Sequence, residues 1–455
     1  MEIDNKQYLF EKMNVPKAVL YLAVPTIISQ LITIVYNWAD TLFVGQLGDT
    51  NMIASITICH PVFMITTAIA NLLGIGGASA ISRALGEKKF EKIKKISSFS
   101  LYTTLLVSIL FSFFIFIFQD PLLAFLGDTP NTSIFTKQYM FWVIILGALP
   151  TIMNSTLAHL VRSTGKSRQA SIGISLGAII NILLDPLFIF VFGLQVEGAA
   201  IATFISNILA TMYFIFLLLK ERKHSILDFS IKNLRIKDKV ALDVLGSGLS
   251  SFLLSLMAVC SNASINKLMS NVEEAAISAV SIAKKVDLCV IAFTMGLAQG
   301  ILPLVGYNYA AKNHFRMQKI IHFSVFITLG FSLICLILFF IFPKPIVSIF
   351  IRDDATIHYA TSFLRIMCSS MPLTAIIFIA NSVFQATKQN GKALTLILLR
   401  KGLIDIPLMI LLNRFIPIYG VVLSQPIVDS FAGIIAIILY LIFLKQEKKK
   451  INVPA

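Results

Sequence analysis

Apolar runs of about twenty residues recur along the whole chain, separated by short polar or basic breaks. A run of that length is what an α-helix needs to cross roughly 30 Å of hydrocarbon. The pattern predicts twelve spanning helices, at 15–38, 51–75, 96–118, 134–158, 168–191, 195–219, 241–265, 277–304, 319–342, 357–383, 393–413 and 419–444. The amino terminus starts with an acidic and basic segment and runs into a full-length span, so no cleavable signal peptide is expected. The longest polar segment, "KERKHSILDFSIKNLRIKDKV" (220–240), divides six spans from six. We therefore expect a first lobe at 1–219, a cytoplasmic linker at 220–240, and a second lobe at 241–455 that ends in a short basic tail.

The halves resemble each other in order. "IASITI" (53–58) lies over "ISAVSI" (277–282), "GGASAISRALGEKK" (76–89) over "GILPLVGYNYAAKN" (300–313), Pro150 over Pro372, and Gly198 over Gly420. Six spans per half give both halves the same orientation. They are parallel repeats about an axis along the membrane normal, an arrangement typical of secondary transporters, with the substrate path between them.

Composition agrees with a polytopic, all-α membrane protein. The 455 residues are 57% hydrophobic and only 13% charged, with mean hydropathy +0.84; soluble domains carry about 25% charged residues. The net charge of +15 reads as topology. Lysine and arginine concentrate at 83–95, 162–168, 220–239, 312–319 and 445–450, in alternate loops on one side. By the positive-inside rule these loops and both termini are cytoplasmic, in a cell (plasma or inner) membrane. Attraction to anionic lipid headgroups is a second effect. A nucleic-acid partner is excluded, because the basic segments are short and lack interleaved aromatics. Cys59, Cys260, Cys289, Cys335 and Cys368 form no CxxC pair and read as small core residues, and the six histidines form no metal-binding pattern. "HLVRSTGKS" (159–167) has Leu160 where a phosphate-binding loop needs its first glycine, and no strand precedes it, so it reads as a cytoplasmic turn and not as an ATP site. "GIGG" (74–77) is a helix-packing or hinge feature.

The candidate chemistry lies in the intramembrane acids Asp40, Asp185, Asp287, Asp405 and Asp429. A carboxylate in hydrocarbon costs about 2.5–3.5 kcal/mol on insertion scales, so it persists where it meets a cavity or a partner. Thr33, Tyr36, Asn37 and Asp40 form one polar stripe at helical spacing, Asn181 shares a face with Asp185, and Thr203 and Asn207 share one with Ala199. Together they predict an oxygen-rich pocket in the first half that suits a hard monovalent cation, with a proton as competitor. The structural alternative is that Asn181 and Asp185 satisfy backbone groups freed where Pro186 breaks the helix, with Asp40 bonding across to them. In the second half, "IAKKVDL" (282–288) suggests that Lys284 or Lys285 neutralises Asp287, and Asp405 is expected to pair with Arg400 or Lys401. The run "QGILPLVGYNYAAK" (299–312) either lines the cavity or packs at a helix end.

On "WADTLFVGQLG", "SRALGEKK", "NILLDPLFIF", "GAAIATFISN" and "QGILPLVGYNYAAKN", the chain resembles the multidrug and toxic compound extrusion (MATE) transporters from Val24 to about Leu444. The resemblance implies a V-shaped, alternating-access fold of two pseudo-symmetric six-helix lobes. It implies a membrane antiporter, not an enzyme, that exports amphipathic, mostly cationic organic compounds in exchange for Na+ or H+. No cofactor and no metal beyond Na+ would be needed, and a monomer would suffice. Asp40, Asn181, Asp185 and Thr203 match the family's first-lobe coupling-cation site; Gln30, Tyr36, Asn37, Asn154 and Asn207 are cavity-lining candidates, with Asp287 and Gln299 as secondary candidates in the second lobe. Span 7, "SSFLLSLMAVCSNASINK" (250–267), lacks the carboxylate that some branches place there, which favours coupling through the first lobe. The alternative within the superfamily is a flippase for a lipid-linked oligosaccharide, for which a basic cavity would be expected.

Overall fold

A computed structural model describes residues 7–221, 226–234, 239–269 and 274–451. Residues 222–225 and 235–238 of the expected linker, and the tail from 452, lie outside the described residues. Among the described residues twelve long helical segments follow in chain order: α1 (Val15–Gly45), α2 (Thr50–Gly86), α3 (Phe90–Ile117), α4 (Ser133–Leu146 and Ala148–Ser163), α5 (Ser167–Val191), α6 (Gln195–Lys220), α7 (Val240–Met269), α8 (Glu274–Ala310), α9 (His314–Ile341), α10 (Asp354–Cys368 and Met371–Ala386), α11 (Asn390–Ile397, Leu398–Leu403 and Asp405–Phe415) and α12 (Tyr419–Ile451). Each overlaps one expected span. Among the described residues nine are continuous and apolar enough to cross a membrane, and α4 and α10 do so as pairs bent by 44° and 48°. Arg400, Lys401 and Asp405 interrupt the apolar stretch of α11.

The two bends fall at matching places in the halves, just ahead of Pro150 and Pro372. The pseudo-symmetry read from sequence is therefore carried into backbone shape. Pro186 does not break α5: the helix passes into a π turn over Leu187–Val191. A π turn over Leu398–Leu403 likewise stands beside Asp405 in α11. Such wide turns re-aim side chains without ending a helix, and they recur at functional sites. Side chains start several helices, with Asp49, Asn313 and Asp353 accepting backbone N–H bonds in the first turns of α2, α9 and α10.

Helix α8 is the central element: 67% of its most apolar stretch is buried, against 22% for α3 and α9 on the periphery. The halves meet along α1 with α8 and α2 with α7, where glycines allow backbones to touch. A Cβ on Gly296 or Gly300 of α8 would stand 2.6 Å from the Cα of Ile27 or Ala23 of α1. Gly76 and Gly248 play the same part between α2 and α7, which bears out the packing reading of "GIGG".

Polar contacts complete the seal at the end that carries the basic turns. Arg83 of α2 donates to the Gln385 and Ala386 carbonyls and to Ser247 Oγ. Asp243 of α7 pairs with Lys92 at 2.9 Å and with Lys388. A π turn at Tyr8–Lys12 docks here too, its carbonyls held by Asn308 and Arg316 and its Phe10 stacked on Tyr307. At the opposite end the described ring contact between halves is Trp38 with Phe350.

Candidate functional site

The first-half site is built where the stripe on α1 meets α5 and α6. Asn181 and Asp185, one turn apart on α5, are 1% and 0% exposed, and Thr203 of α6 is 5% exposed. The Asn181 amide is oriented by its neighbours: its nitrogen donates to Asp185 Oδ2 at 3.0 Å, while its oxygen accepts from the Thr203 N–H at 3.1 Å and hydroxyl at 3.2 Å. The reverse orientation would set the amide oxygen against the carboxylate. Asp185 Oδ1 is buried without a hydrogen-bond partner. Asp40 of α1 is partly exposed and close enough for its charge to be felt at Asp185, Tyr36 and Tyr139. No described Lys, Arg or His pairs with either carboxylate.

This arrangement gathers carboxyl, amide and hydroxyl oxygens into a cage, with no cationic partner among the described residues. It has the donor set of a hard monovalent cation, and a carboxylate oxygen that makes no protein bond. Nearby, Asn207 extends this polar network along α6: its amide donates to the Thr203 carbonyl at 2.9 Å, and Asn154 donates to Asn207 at 3.4 Å. Asn37 is exposed and Tyr36 half-buried on the same helix as Asp40.

Gln30 and Gln299 lie apart from this cage, between the halves. Gln30 of α1 donates to Gln299 of α8 at 3.1 Å, and Arg162 of α4 donates to the same Gln299 oxygen at 3.1 Å. Arg162 is only 2% exposed, contacts His159 at 3.2 Å, and keeps Nε and Nη2 without partners. These side chains form a polar floor where the halves close. The segment "HLVRSTGKS", expected as a cytoplasmic turn, is buried helix through Ser163, and only its last residues turn. Sequence reading missed Arg162 because it was counted among loop charges; its spacing to His159, one turn earlier, was the available signal. Tyr139 and Trp38 were missed as ordinary aromatics among apolar neighbours.

The second half differs from expectation in its pairings. Asp287 accepts from Gln425 at 3.3 Å and makes no bond to Lys284 or Lys285; Lys284 instead donates to Asn262 of α7 at 3.0 Å. The helix turn carries the lysine amine toward α7, away from its own carboxylate neighbour. Arg400 pairs with Asp429, at 2.7 Å, which also accepts from Thr374. Asp405 pairs with Lys401 at 3.6 Å, as expected, and accepts from Ser261 at 2.7 Å. Of the cysteines, Cys59, Cys335 and Cys368 are buried, while Cys260 is exposed and Cys289 partly so.

Comparison with known proteins adds a family and a fold. A MatE family model matches residues 25–187 and again 248–411, one copy in each half. The chain is 30% identical over 449 residues to the multidrug export protein MepA of Staphylococcus saprophyticus, covering 99% of this chain and 98% of that protein. It is 31% identical over 450 residues to MepA of Staphylococcus aureus, with the same coverage. Among solved structures it superposes with a TM-score of 0.91, at 22% identity and over 97% of the chain, on an outward-facing multidrug resistance MATE family transporter, of which it covers 98%.

Proposed function

The chain belongs to the MatE family of membrane transporters, and from that membership we propose that it is a multidrug efflux antiporter. It exports amphipathic, mostly cationic organic compounds in exchange for inward-moving Na+ or H+, and it needs neither ATP nor a catalytic centre. The observation that carries this reading is the first-half cage: two carboxylates with no internal counter-ion, one of them with a buried, unpartnered oxygen beside Asn181 and Thr203. Full-length likeness to proteins named as multidrug exporters supports the direction and substrate class.

In this reading residues 1–219 and 241–455 are lobes that rock about their interface, joined by 220–240, and the basic turns and both termini face the cytoplasm. In this reading the bonds between the halves at that end close the cytoplasmic side. Asp40, Asn181, Asp185 and Thr203 take the coupling cation, while Tyr36, Asn37, Asn154 and Asn207 line the path, with Gln30 and Gln299 at its floor. Asp287 stays a secondary candidate in the second lobe. Cation binding drives export only if the outward- and inward-facing states differ in affinity for it. One copy of the chain, in lipid, suffices. The lipid-linked oligosaccharide reading is weaker, because a pyrophosphate would meet Asp40 and Asp185.

The test is efflux of ethidium from loaded cells or vesicles under separate Na+ and H+ gradients. Wild type exports the dye under one gradient, which names the ion, and Asp40→Asn and Asp185→Asn abolish gradient-driven export while remaining in the membrane. Gradient-driven export that survives both substitutions would place coupling elsewhere.

A further inference from the structure

We propose that the second half contains a counterpart of the first-half cation cage that is permanently filled by the protein's own ammonium groups, with Lys401 as the tethered cation. Only the first half then takes up a coupling ion. The proposal rests on the first-half reading above, and the experiment below separates the two.

The repeat places the two sites in register. Asn181 stands four residues before Asp185, with Pro186 next; Lys401 stands four before Asp405, with Pro407 two further on. On the following helix, Thr203 and Asn207 lie five and nine residues after Gly198, and Gln425 and Asp429 lie five and nine after Gly420. A π turn lies near each acid but on opposite sides of it, after Asp185 at Leu187–Val191 and before Asp405 at Leu398–Leu403, so the register rests on the residue spacing. The third wall is also shared: Asp40 comes from α1, and Ser261, which donates to Asp405 at 2.7 Å, comes from its repeat partner α7. In this frame Lys401 occupies the place of Asn181, and Asp429 that of Asn207.

The substitutions change the charge balance and little else. The first-half cage holds Asp40 and Asp185 with no bonded cation. In the second half Asp287, Asp405 and Asp429 are matched by Lys284, Arg400 and Lys401. Asp405 is 1% exposed and bonded to Lys401. Lys284, Lys401, Asp405, Ser261 and Gln425 line one small cavity within the lobe. A cation delivered on a four-carbon tether gives up little translational freedom when it binds, so its occupancy is set by the tether and not by the concentration of dissolved ions. The lobe therefore has the oxygen ligands of a cation site without the ability to exchange the cation, whereas a purely structural ion pair would require no correspondence with the first-half site.

The test measures cation binding to the purified, lipid-reconstituted protein, with sodium-22 and with proton uptake at fixed pH as the two probes. Wild type binds one cation, and Asp185→Asn loses it. Adding Lys284→Met and Lys401→Asn to Asp185→Asn restores saturable binding at least tenfold tighter than in Asp185→Asn alone. With Asp185 intact, the same two lysine substitutions raise the number bound from one to two. If the lysine variants fold and bind no more than their parents, Lys401 is only a structural partner and the proposal fails. Should the lysine variants not fold, Asp405→Asn decides: one cation still bound supports the proposal, and its loss overturns it. If wild type binds no cation but the lysine variants do, the proposal stands while the first-half coupling reading falls.

Discussion

The crossing of α1 and α8 offers the sharpest quantitative test of how the structure is held shut at its basic end. At Gly300 an added methyl would sit 2.6 Å from Ala23 Cα and 3.0 Å from the Ala23 nitrogen and the Leu22 oxygen. Ordinary contact begins at 3.4 Å, so Gly300→Ala must move one helix by about 3.4 − 2.6 = 0.8 Å. The opposing atoms are backbone, and Leu22 and Ala23 are fully buried, so no side chain can swing aside to absorb the strain. Overpacking of this kind costs about 1–3 kcal/mol, which corresponds to a shift of roughly 5- to 150-fold against the closed arrangement. Gly296→Ala meets Ile27 in the same way. The double variant should cost less than the sum, because one displacement of α1 relieves both clashes.

Distances between nitroxides on the exposed turn residues Lys89 and Lys312, in a background without reactive cysteines, report the opening directly. The parent should give one short separation, and Gly300→Ala a broadened or second, longer one, with a lowered melting temperature. Gly330→Ala is the control, since a Cβ there meets nothing within 4 Å and a helical glycine-to-alanine change gains about 0.5–1 kcal/mol. If Gly300→Ala keeps the parental separation and stability, the glycine contact is not what closes this end.

Other perturbations read neighbouring parts of the same seal. Arg83→Ala removes a guanidinium bonded to two carbonyls and Ser247 across the halves; about 2–4 kcal/mol should be lost, seen as a fall in melting temperature. Phe10→Ala empties a fully buried site against Tyr307 and should destabilise docking of the amino-terminal turn by about 3–5 kcal/mol, read as faster hydrogen exchange across the docked segment. That docking should also respond to pH. Partial burial pushes the Glu11 carboxyl up, but bonds from Tyr307 at 2.6 Å and Gln7 at 2.9 Å, with Lys88 and Lys12 nearby, outweigh it and hold the group below its ordinary 4.5. A depressed value means that the stabilisation is complete above the ordinary value and is lost as the pH falls through the folded one. Exchange in this segment should therefore accelerate only below about pH 4.5, and Glu11→Gln should flatten the dependence.

The spans were legible because each needs only enough apolar length, and the repeat because matching residues recur in order. Boundaries were less so: α2 and α8 run on through glycine and polar residues, to Gly86 and Ala310, since the partner half covers those turns. The grouping of Asn181, Asp185, Thr203 and Asn207 could be read as well, because helical spacing announces their faces. What spacing could not show is which way a long side chain turns. Lys284 stands one turn from Asp287 yet bonds to Asn262, and Gln30 and Gln299 read as separate cavity residues yet bond to each other. Arg162 illustrates the same limit from the other side, as a charge that sequence assigns to a loop and the fold buries beneath both halves.

The halves therefore share a scaffold but divide its electrostatic work. Bends ahead of Pro150 and Pro372 and the spacing from Gly198 and Gly420 are common to both. Geometry alone would give each half a carboxylate site at the same depth. Amides at 181 and 207 against an ammonium at 401 and a carboxylate at 429 break that equivalence, and the second half sets Lys284, Arg400 and Lys401 among its acids where no described cation pairs with Asp40 or Asp185. A rocking mechanism requires that only a ligand's differential affinity shift the balance between states. A half that carries its own cations presents the same charge in both states, whereas the half without them must exchange an ion or a proton with one side of the membrane to stay neutral. On the proposed coupling reading, the charge pattern on α5 and α11 determines which half senses the gradient, and exchanging the residues at 181 and 401 together with Lys284→Met should transfer that sensitivity between halves.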